Sequence, residues 1–283
     1  MDKRNLNRII KESIKEVLSP KKLISEGINY DAGTNTFTFN FEHDNDSDLI
    51  RLENIGYSVD KFERCYHYGY KFAEDVDRKV RSEFIKQVKF PESFENEKDL
   101  NLFISKAVGY LDSQISLPQY NVVVYPQSLS ELNRKMLSYL SRITSVKYIE
   151  IEMVKQLPMK IEFDYERFQL EVLDSHINGR PRYTAQQKNE VIANIKSMMD
   201  NIHQSDYFSI ARDIKKEKYR QYIKNYYIFK DEESKSIFEH LYKNNVIVLD
   251  DIVTSGTTIY HLLNSLRTVN DSNNIVIFSL IGK

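Results

Sequence analysis

Residues 246–258 read VIVLDDIVTSGTT, and the rest of the fold can be inferred outward from this stretch. Its first four residues are branched and apolar without helical spacing, which predicts a strand buried on both faces, as in a parallel sheet. Asp250 and Asp251 follow at the carboxyl end of that strand, where open α/β sheets place their ligand crevices. Apolar residues then recur at helical spacing through 259–266, so the stretch predicts a strand, an acidic pair, a loop and a helix.

The predicted loop carries hydroxyl side chains and one glycine, and it consists of Thr254, Ser255, Gly256, Thr257 and Thr258. Backbone N–H groups at a helix start lack intrahelical partners and carry partial positive charge, so a phosphate is favoured there. A glycine lets the backbone come close to such a ligand. The aspartates would repel a phosphate, and their natural partners are sugar hydroxyls or a divalent cation that the ligand carries. The pattern therefore predicts a ligand with a phosphate at one end and a diol or Mg²⁺ at the other.

This run resembles the phosphoribosyl-pyrophosphate (PRPP) motif of the type I phosphoribosyltransferases, in which an apolar strand and two acidic residues precede a Thr/Ser-Gly-Thr-Thr loop. The resemblance implies that Asp250 and Asp251 form the catalytic centre and hold the ribose hydroxyls of PRPP. It also implies that residues 254–258 bind the 5′-phosphate, and that Mg²⁺ arrives with PRPP rather than on metal ligands of the protein. The alternative is an ordinary strand-turn-helix in which the aspartates cap the turn.

A second strand, loop and helix occur further upstream. Residues 122–125 predict an apolar strand, and a helical apolar pattern begins at Leu132. The family's pyrophosphate-binding loop occupies the place between them, so the resemblance assigns that role to Pro126, Gln127, Ser128, Leu129 and Ser130. The match is one of type and order, because the loop contains neither glycine nor arginine. A plain turn between strand and helix is the alternative.

Residues 148–154 predict a third strand, and the next strand-like run, 226–229, follows only after a gap too long for an unstructured loop. Helical spacing through residues 191–202 predicts that the gap, about 156–220, is a helical insertion. Basic residues at its start and within it are candidates to reach the pyrophosphate, and each has a solvated surface charge as its alternative. These candidates are Lys155 and Lys160, with Arg180 and Arg182 beyond them.

The predicted fold class is α/β, with a type I phosphoribosyltransferase-like parallel sheet flanked by helices. Three regions are expected: an amphipathic helix in residues 1–20, an N-terminal α+β extension in 21–115, and the core with its insertion in 116–283. Within the extension, alternating phenylalanines predict a strand near 37–41, and helical spacing runs from 61 to about 111. Residues 5–15 resemble short leaders of tailed-phage proteins, which implies phage origin and a docking partner for the first helix; the alternative is a helix that packs on its own domain.

Composition limits the classes of function. The 283 residues include 40 basic and 41 acidic side chains, and this balance favours neither nucleic acid nor a membrane surface as a partner. Cys65 is the only cysteine, so no disulfide can form within the chain, and a reducing compartment is favoured. No apolar run is long enough to span a bilayer, and the chain starts with charged residues. We therefore expect a cytoplasmic protein, in the host cytoplasm or with the virion if it is phage-encoded.

The resemblance implies a Mg²⁺-dependent transfer of a phosphoribosyl group between PRPP and a nitrogenous base or amine. PRPP and a base or nucleotide are then its partners, and a homodimer is left open. Thr254 and Thr257 stand where the 6-oxopurine branch has an acidic residue and a lysine, so the pattern is closer to the amidophosphoribosyl and competence-type branches. The alternatives are a non-catalytic PRPP- or nucleotide-binding regulatory protein and a phage virion-associated protein that reuses the fold.

Overall fold

The computed structural model describes residues 21–22, 28–31, 36–39, 49–50, 64–67, 78–90, 97–128, 130–177, 179–253 and 256–282. Its strands are β1 (Lys21–Lys22), β2 (Ile28–Asp31), β3 (Thr36–Phe39), β4 (Leu49–Ile50), β5 (Arg64–His67), β6 (Val122–Pro126), β7 (Ile149–Lys155), β8 (Glu162–Phe163), β9 (His176–Ile177), β10 (Arg180–Pro181), β11 (Ile223–Lys224), β12 (Tyr227–Phe229), β13 (Asn245–Val253) and β14 (Asn274–Gly282). Its helices are α1 (Arg78–Lys89), α2 (Glu97–Gln114), α3 (Leu132–Thr144), α4 (Tyr165–Phe168), α5 (Ala185–His203), α6 (Ile210–Asp213), α7 (Glu217–Arg220), α8 (Glu232–His240) and α9 (Thr257–Val269), with short 3-10 turns at Leu117–Gln119 and Pro158–Lys160 and a π-helical turn at Gln169–Leu173.

A mostly parallel sheet forms the centre of the described structure. Its strand order is β12-β7-β6-β13-β14-β5-β4. The five inner strands run parallel, and the edge strands β12 and β4 are antiparallel to their neighbours. The α/β class with a parallel sheet flanked by helices is therefore confirmed.

Helices cover both faces of this sheet, which explains the unbroken apolar runs in its strands. Successive strand residues point to opposite faces. Val246 and Val248 pack with α9 and the insertion on one face, whereas Ile247 and Leu249 pack with α1, α2 and α3 on the other. A strand that is buried on both sides has no polar face and so shows no alternation in its sequence.

The strand order reverses between β6 and β13, and this reversal locates the site. From β6 the chain passes through α3 to β7 on one side, and from β13 it passes through α9 to β14 on the other. Since such crossovers are right-handed, α3 and α9 lie on opposite faces of the sheet. The loops after β6 and β13 therefore diverge, and they leave a crevice between the carboxyl ends of the two strands.

The expected boundary between an extension and a core at residue 115 does not separate two packing units. Strand β5 pairs with β14 inside the central sheet, and β4 pairs with β5. Helices α1 and α2 pack on the sheet through buried residues such as Phe84 and Leu100. Residues 64–67, which the helical spacing from 61 onward had assigned to a helix, are strand because their backbone pairs with β14. The strand expected near 37–41 is present as β3, and the predicted helix in residues 1–20 lies outside the described residues.

The insertion between β7 and β12 is a mixture of helices and short strands rather than helices alone. The helix predicted through 191–202 is present as α5, which begins with a reciprocal capping box between Thr184 and Gln187. Two-stranded pairs, β9 with β10 and β8 with β11, accompany it. The insertion packs on the α9 face of the sheet. Within the described ranges, no helix has the length and apolar character needed to cross a membrane.

Candidate functional site

A cleft of about 660 Å³ lies at the crevice between the ends of β6 and β13. A smaller cavity of about 160 Å³ adjoins it at the start of α9 and shares Asp250, Lys155 and Thr258 with it. Most of the residues that the sequence predicted for the site are therefore brought together. Those lining the cleft are Asp250, Asp251, Thr258, Lys155 and the described part of the 126–130 loop; Gly256 and Thr257 line the smaller cavity.

The two aspartates flank the end of β13 from opposite sides. Both are only 4% exposed. Asp251 lies on the face of α1 and α3, where the Lys89 Nζ is 2.9 Å from its Oδ2 and the Ser130 hydroxyl is 3.5 Å away. Asp250 lies on the α9 face, in the wall of the smaller cavity with Tyr227. The pair can therefore hold a ligand that sits over the strand end, with one carboxylate on each side.

Burial raises the pKa of the Asp250 carboxyl well above its ordinary value, and repulsion from Asp251 adds to the rise while Lys89 opposes it. Its Oδ1 accepts the backbone N–H of Asp251 at 3.1 Å. A buried carboxylate with so little compensation is stabilised by any ligand that donates hydrogen bonds or carries a cation. The buried charge of Asp250 therefore destabilises the unliganded protein more than it would destabilise a ligand-bound state.

This electrostatic cost predicts a pH-dependent stability. Because the folded-state pKa of Asp250 is raised, the folded chain binds a proton more readily than the unfolded chain, and stability falls as pH rises from the ordinary carboxyl pKa through the raised value. Asp250→Asn removes that loss, so thermal denaturation should show the variant gaining on the wild type as pH rises above the ordinary carboxyl range. A difference between the two proteins that stays constant with pH would contradict the assignment.

The loop after β6 already uses two of its backbone donors. The N–H of Gln127 donates to the Met153 carbonyl at 2.7 Å, and the N–H of Ser130 donates to the Ser128 hydroxyl at 3.1 Å. The Asn133 side chain in turn donates to the Pro126 carbonyl at 3.3 Å and so holds the loop against α3. The predicted binding of pyrophosphate here therefore depends on the serine hydroxyls and on other N–H groups. Leu129 lies outside the described residues.

The predicted phosphate loop ends in a geometry that glycine permits. Gly256 has φ 72°, in the left-handed region, and immediately precedes α9. Its carbonyl accepts the N–H of Tyr260 at 2.8 Å, which closes the first turn of the helix. Thr257 is buried, and Thr258 lines both cavities. Thr254 and Ser255 lie outside the described residues, so their predicted role stays a prediction.

The two lysines that the sequence proposed for the pyrophosphate are in different places. Lys155, at the end of β7, lines the cleft, and its Nζ donates to the Tyr207 hydroxyl at 3.2 Å. Lys160 is exposed on the turn Pro158–Lys160 and is not among the described residues that line the cleft. The same holds for Arg180 and Arg182, which are exposed. The chain has turned away from the sheet within a few residues of the end of β7.

Several residues of the cleft were not predicted from the sequence. Lys89, the last residue of α1, forms an ion pair with Asp251, and Tyr207, in the loop after α5, lines the cleft. Tyr227 faces Asp250 from β12, and burial raises the pKa of its hydroxyl. The sequence offers a signal only for Lys89, a basic residue at a helix end, and this signal does not distinguish it from other lysines.

The oxygen atoms of the cleft suit a cation that is bound by the protein and by a ligand together. Among the described residues, no group of three or more His, Cys, Asp or Glu side chains could hold a metal ion. The cleft has two carboxylates, Asp250 and Asp251, at the strand end. Mg²⁺ commonly binds one or two carboxylates together with substrate phosphates. The residues are therefore compatible with Mg²⁺ that enters together with a phosphorylated ligand.

Comparisons with known proteins add little to this geometry. No protein-family model matches the sequence, and no curated protein matches it. Among solved structures, a hypoxanthine phosphoribosyltransferase from Staphylococcus aureus is similar, with 12% sequence identity and a TM-score of 0.31. The match covers 65% of this chain and 65% of that chain. Because both the identity and the TM-score are low, fold class and site stand on the geometry described above.

Proposed function

We propose that this chain is a Mg²⁺-dependent phosphoribosyltransferase, which transfers a phosphoribosyl group between PRPP and a nitrogenous base or amine. One observation carries the proposal: an acidic pair, a helix N-terminus and a hydroxyl-bearing loop meet in one cleft where the strand order reverses. The resemblance of residues 246–258 to the PRPP motif supports the same assignment, since strand β13 ends and helix α9 begins where that motif requires.

The arrangement allows a role for each group of residues. The start of α9, with Thr257 and Thr258, would bind the 5′-phosphate. Asp250 and Asp251 would hold the ribose hydroxyls, and Ser128, Ser130 and Lys155 would face the pyrophosphate. The nitrogen lone pair forms a bond to the anomeric carbon as the bond from that carbon to the pyrophosphate oxygen breaks. Mg²⁺, when bound with PRPP, supplies charge stabilisation for the departing group.

This chemistry requires the protein mainly to position charges. A nitrogen nucleophile that already has a free lone pair requires no general base, so orientation and electrostatic stabilisation supply most of the rate. The cleft has the volume of a typical small-molecule site, at about 660 Å³. It also combines the two carboxylates with two lysines, Lys89 and Lys155, so its formal charge is balanced before a ligand enters.

The test is a direct assay of the purified chain. PRPP and Mg²⁺ are mixed with adenine, hypoxanthine, guanine, uracil, orotate or ammonia, and pyrophosphate release is measured. We expect release that depends on both an acceptor and Mg²⁺, and that disappears on addition of EDTA. The double variant Asp250→Asn with Asp251→Asn is the matched negative control. PRPP binding without release on any acceptor would overturn the enzymatic proposal.

A second candidate function, PRPP or nucleotide binding without turnover, has one specific observation in its favour. Lys89 already occupies the carboxylate of Asp251, and the N–H groups of Gln127 and Ser130 already have acceptors. The cleft thus satisfies internally some of the groups that a substrate would need. The assay above separates the two candidates, because this one predicts binding in every acceptor mixture and release in none.

The ion pair of Lys89 leads to a prediction of its own. In Lys89→Met the ligand no longer competes with an ammonium group for Asp251, so we expect PRPP to bind roughly fivefold tighter, which corresponds to about 1 kcal/mol. The variant should unfold more easily, because the nearly buried Asp251 loses its ion-pair partner. Calorimetric titration with PRPP and Mg²⁺ measures the change. Lys86→Met, an exposed position on the same helix, is the control. Weaker binding in Lys89→Met would instead make Lys89 a phosphate ligand.

The proposals about origin and docking rest on the sequence alone. Phage origin, a virion-associated role and a docking partner all derive from residues 1–20, which lie outside the described residues. A homodimer and a cytoplasmic location likewise stay predictions.

A further inference from the structure

A second cavity, of about 870 Å³, lies on the α9 face of the sheet at its β12 edge. We call it the β12 cavity. Its walls are β12, the second half of α9, the start of α8, and the insertion residues around Arg167 and Lys224. Tyr226 and Tyr227 separate it from the small cavity at Gly256, because both tyrosines line the two spaces. The β12 cavity is therefore distinct from the PRPP cleft and close to it.

One cation that lines the β12 cavity, Lys235, is only loosely paired. Four cationic side chains line the cavity, against two carboxylates. Arg167 pairs with Glu171 at 2.7 Å and Lys224 with Asp164 at 3.0 Å, whereas Lys235 has only long contacts, 4.0 Å to Glu232 and 3.7 Å to Glu239. The cations that line it are Arg167, Lys224, Lys235 and Arg267, and the carboxylates are Asp164 and Glu232. Because the contacts of Lys235 are long, its ammonium group can turn to an anionic ligand at little cost.

Other groups in the wall suit a flat, hydrogen-bonding ring. The aromatic ring of Phe229 and the amides of Gln156 and Asn264 line the cavity, whereas Tyr226 and His261, which also border it, are only 4% and 2% exposed. Aromatic faces stack on nucleobases, and side-chain amides pair with the donors and acceptors at base edges. The cavity thus combines a surface for a base with cations for a phosphate.

The buried ring of His261 has a nitrogen atom without a hydrogen-bond partner, and this is an independent indication of a ligand site. It is only 2% exposed, and its Nε2 has no hydrogen-bond partner within the part of the chain that the structure describes. Burial lowers the pKa of His261 to about 3, and a bond to the Arg220 backbone opposes that change only in part. The ring is therefore neutral, and if the other nitrogen donates to Arg220, Nε2 is an acceptor without a donor. Buried polar atoms without partners are uncommon and require an explanation.

We propose that the β12 cavity is a second ligand site that takes a 5′-nucleoside monophosphate. Its volume lies within the range of small-molecule sites. The phosphate would lie against Lys235 and its cationic neighbours, and the base would lie between the aromatic and amide groups of β12 and α9. Helix α9 contributes its N-terminus to the first cleft and its second half to this cavity.

Calorimetric titration of the full chain with AMP tests the proposal. Lys235→Gln removes a cation from the wall and should weaken AMP binding by roughly fivefold to tenfold. Asn264→Trp places a bulky side chain in the wall where the base would lie and should also weaken binding. Lys243→Gln, an exposed lysine outside the cavity, is the charge-matched control and should bind as the wild type does. Circular dichroism of each variant establishes that it is folded.

A variant of the first cleft separates the two sites. Asp250→Asn with Asp251→Asn should retain AMP binding at the β12 cavity, even though it loses PRPP. The proposal is overturned if no AMP binds, if the double variant loses AMP together with PRPP, or if Lys235→Gln and Asn264→Trp both bind as the wild type does. Inorganic phosphate that binds as tightly as AMP would also overturn it, because the base would then contribute nothing. The test does not depend on phosphoribosyl transfer, so its outcome is independent of the proposed enzymatic function.

Discussion

The double variant Asp250→Asn with Asp251→Asn is expected to weaken PRPP binding by about 10²-fold to 10⁴-fold, since each charged hydrogen bond contributes roughly 1.5–3 kcal/mol. The two carboxylates are nearly fully buried and flank the strand end from opposite sides, so each would reach a different part of a bound sugar. Asparagine keeps the size of aspartate and one acceptor oxygen, but it loses the charge. The measurement is a calorimetric titration with PRPP and Mg²⁺.

The fold should survive the double substitution. Asp250 carries a desolvation cost that asparagine does not, and this offsets the loss of the ion pair between Lys89 and Asp251. Glu239→Gln on α8 removes a carboxylate away from the cleft and is the control. If the double variant is folded and binds PRPP as the wild type does, the acidic pair does not serve the ligand, and the proposed function loses its main support.

Gly256→Val is expected to destabilise the protein by about 1–3 kcal/mol and to abolish binding of the 5′-phosphate. Gly256 has φ 72°, which valine adopts only with strain, and it is buried directly before α9. Relief of that strain would move the start of the helix and, with it, the backbone donors that the phosphate needs. Denaturant unfolding measures the first effect, and PRPP titration measures the second.

Gly109→Ala is the matched control for that substitution and should have the opposite sign. Gly109 lies inside α2, and an added Cβ there would have no heavy atom within 4 Å. Alanine in a helix interior is favoured over glycine by roughly 0.5–1 kcal/mol, so this variant should be more stable than the wild type. Equal stability in Gly256→Val and the wild type would mean that the bend before α9 has no conformational requirement for glycine.

Local pattern was enough to predict the elements that build the site. The apolar runs at 122–125 and 246–249 lie in β6 and β13, because strands that are buried on both faces consist of unbroken runs of apolar residues. Helix α9 follows from the spacing of Ile259, Leu262, Leu263 and Leu266, all of which are buried. From these elements alone, the crevice and most of its predicted residues could be placed.

Features that depend on tertiary pairing could not be predicted in the same way. Residues 64–67, RCYH, contain no apolar run, and they form β5 because their backbone pairs with that of β14. The contact between Lys89 and Asp251 requires α1 to cross the end of β13, which no local spacing reveals. The same is true of the Gln127 N–H, whose acceptor is set by the register between β6 and β7.

The position of β14 has a consequence for how the chain folds. This strand lies between β13 and β5, and its register pairs Val276 with Arg64, so most of the chain separates the two partners. Contacts between such distant residues form slowly, because the loop that joins them must first be closed. Until β14 joins the sheet, the edge of β13 stays unpaired, and exposed apolar edges promote association with other chains. Truncation before residue 274 should therefore produce aggregation during refolding rather than a smaller folded protein.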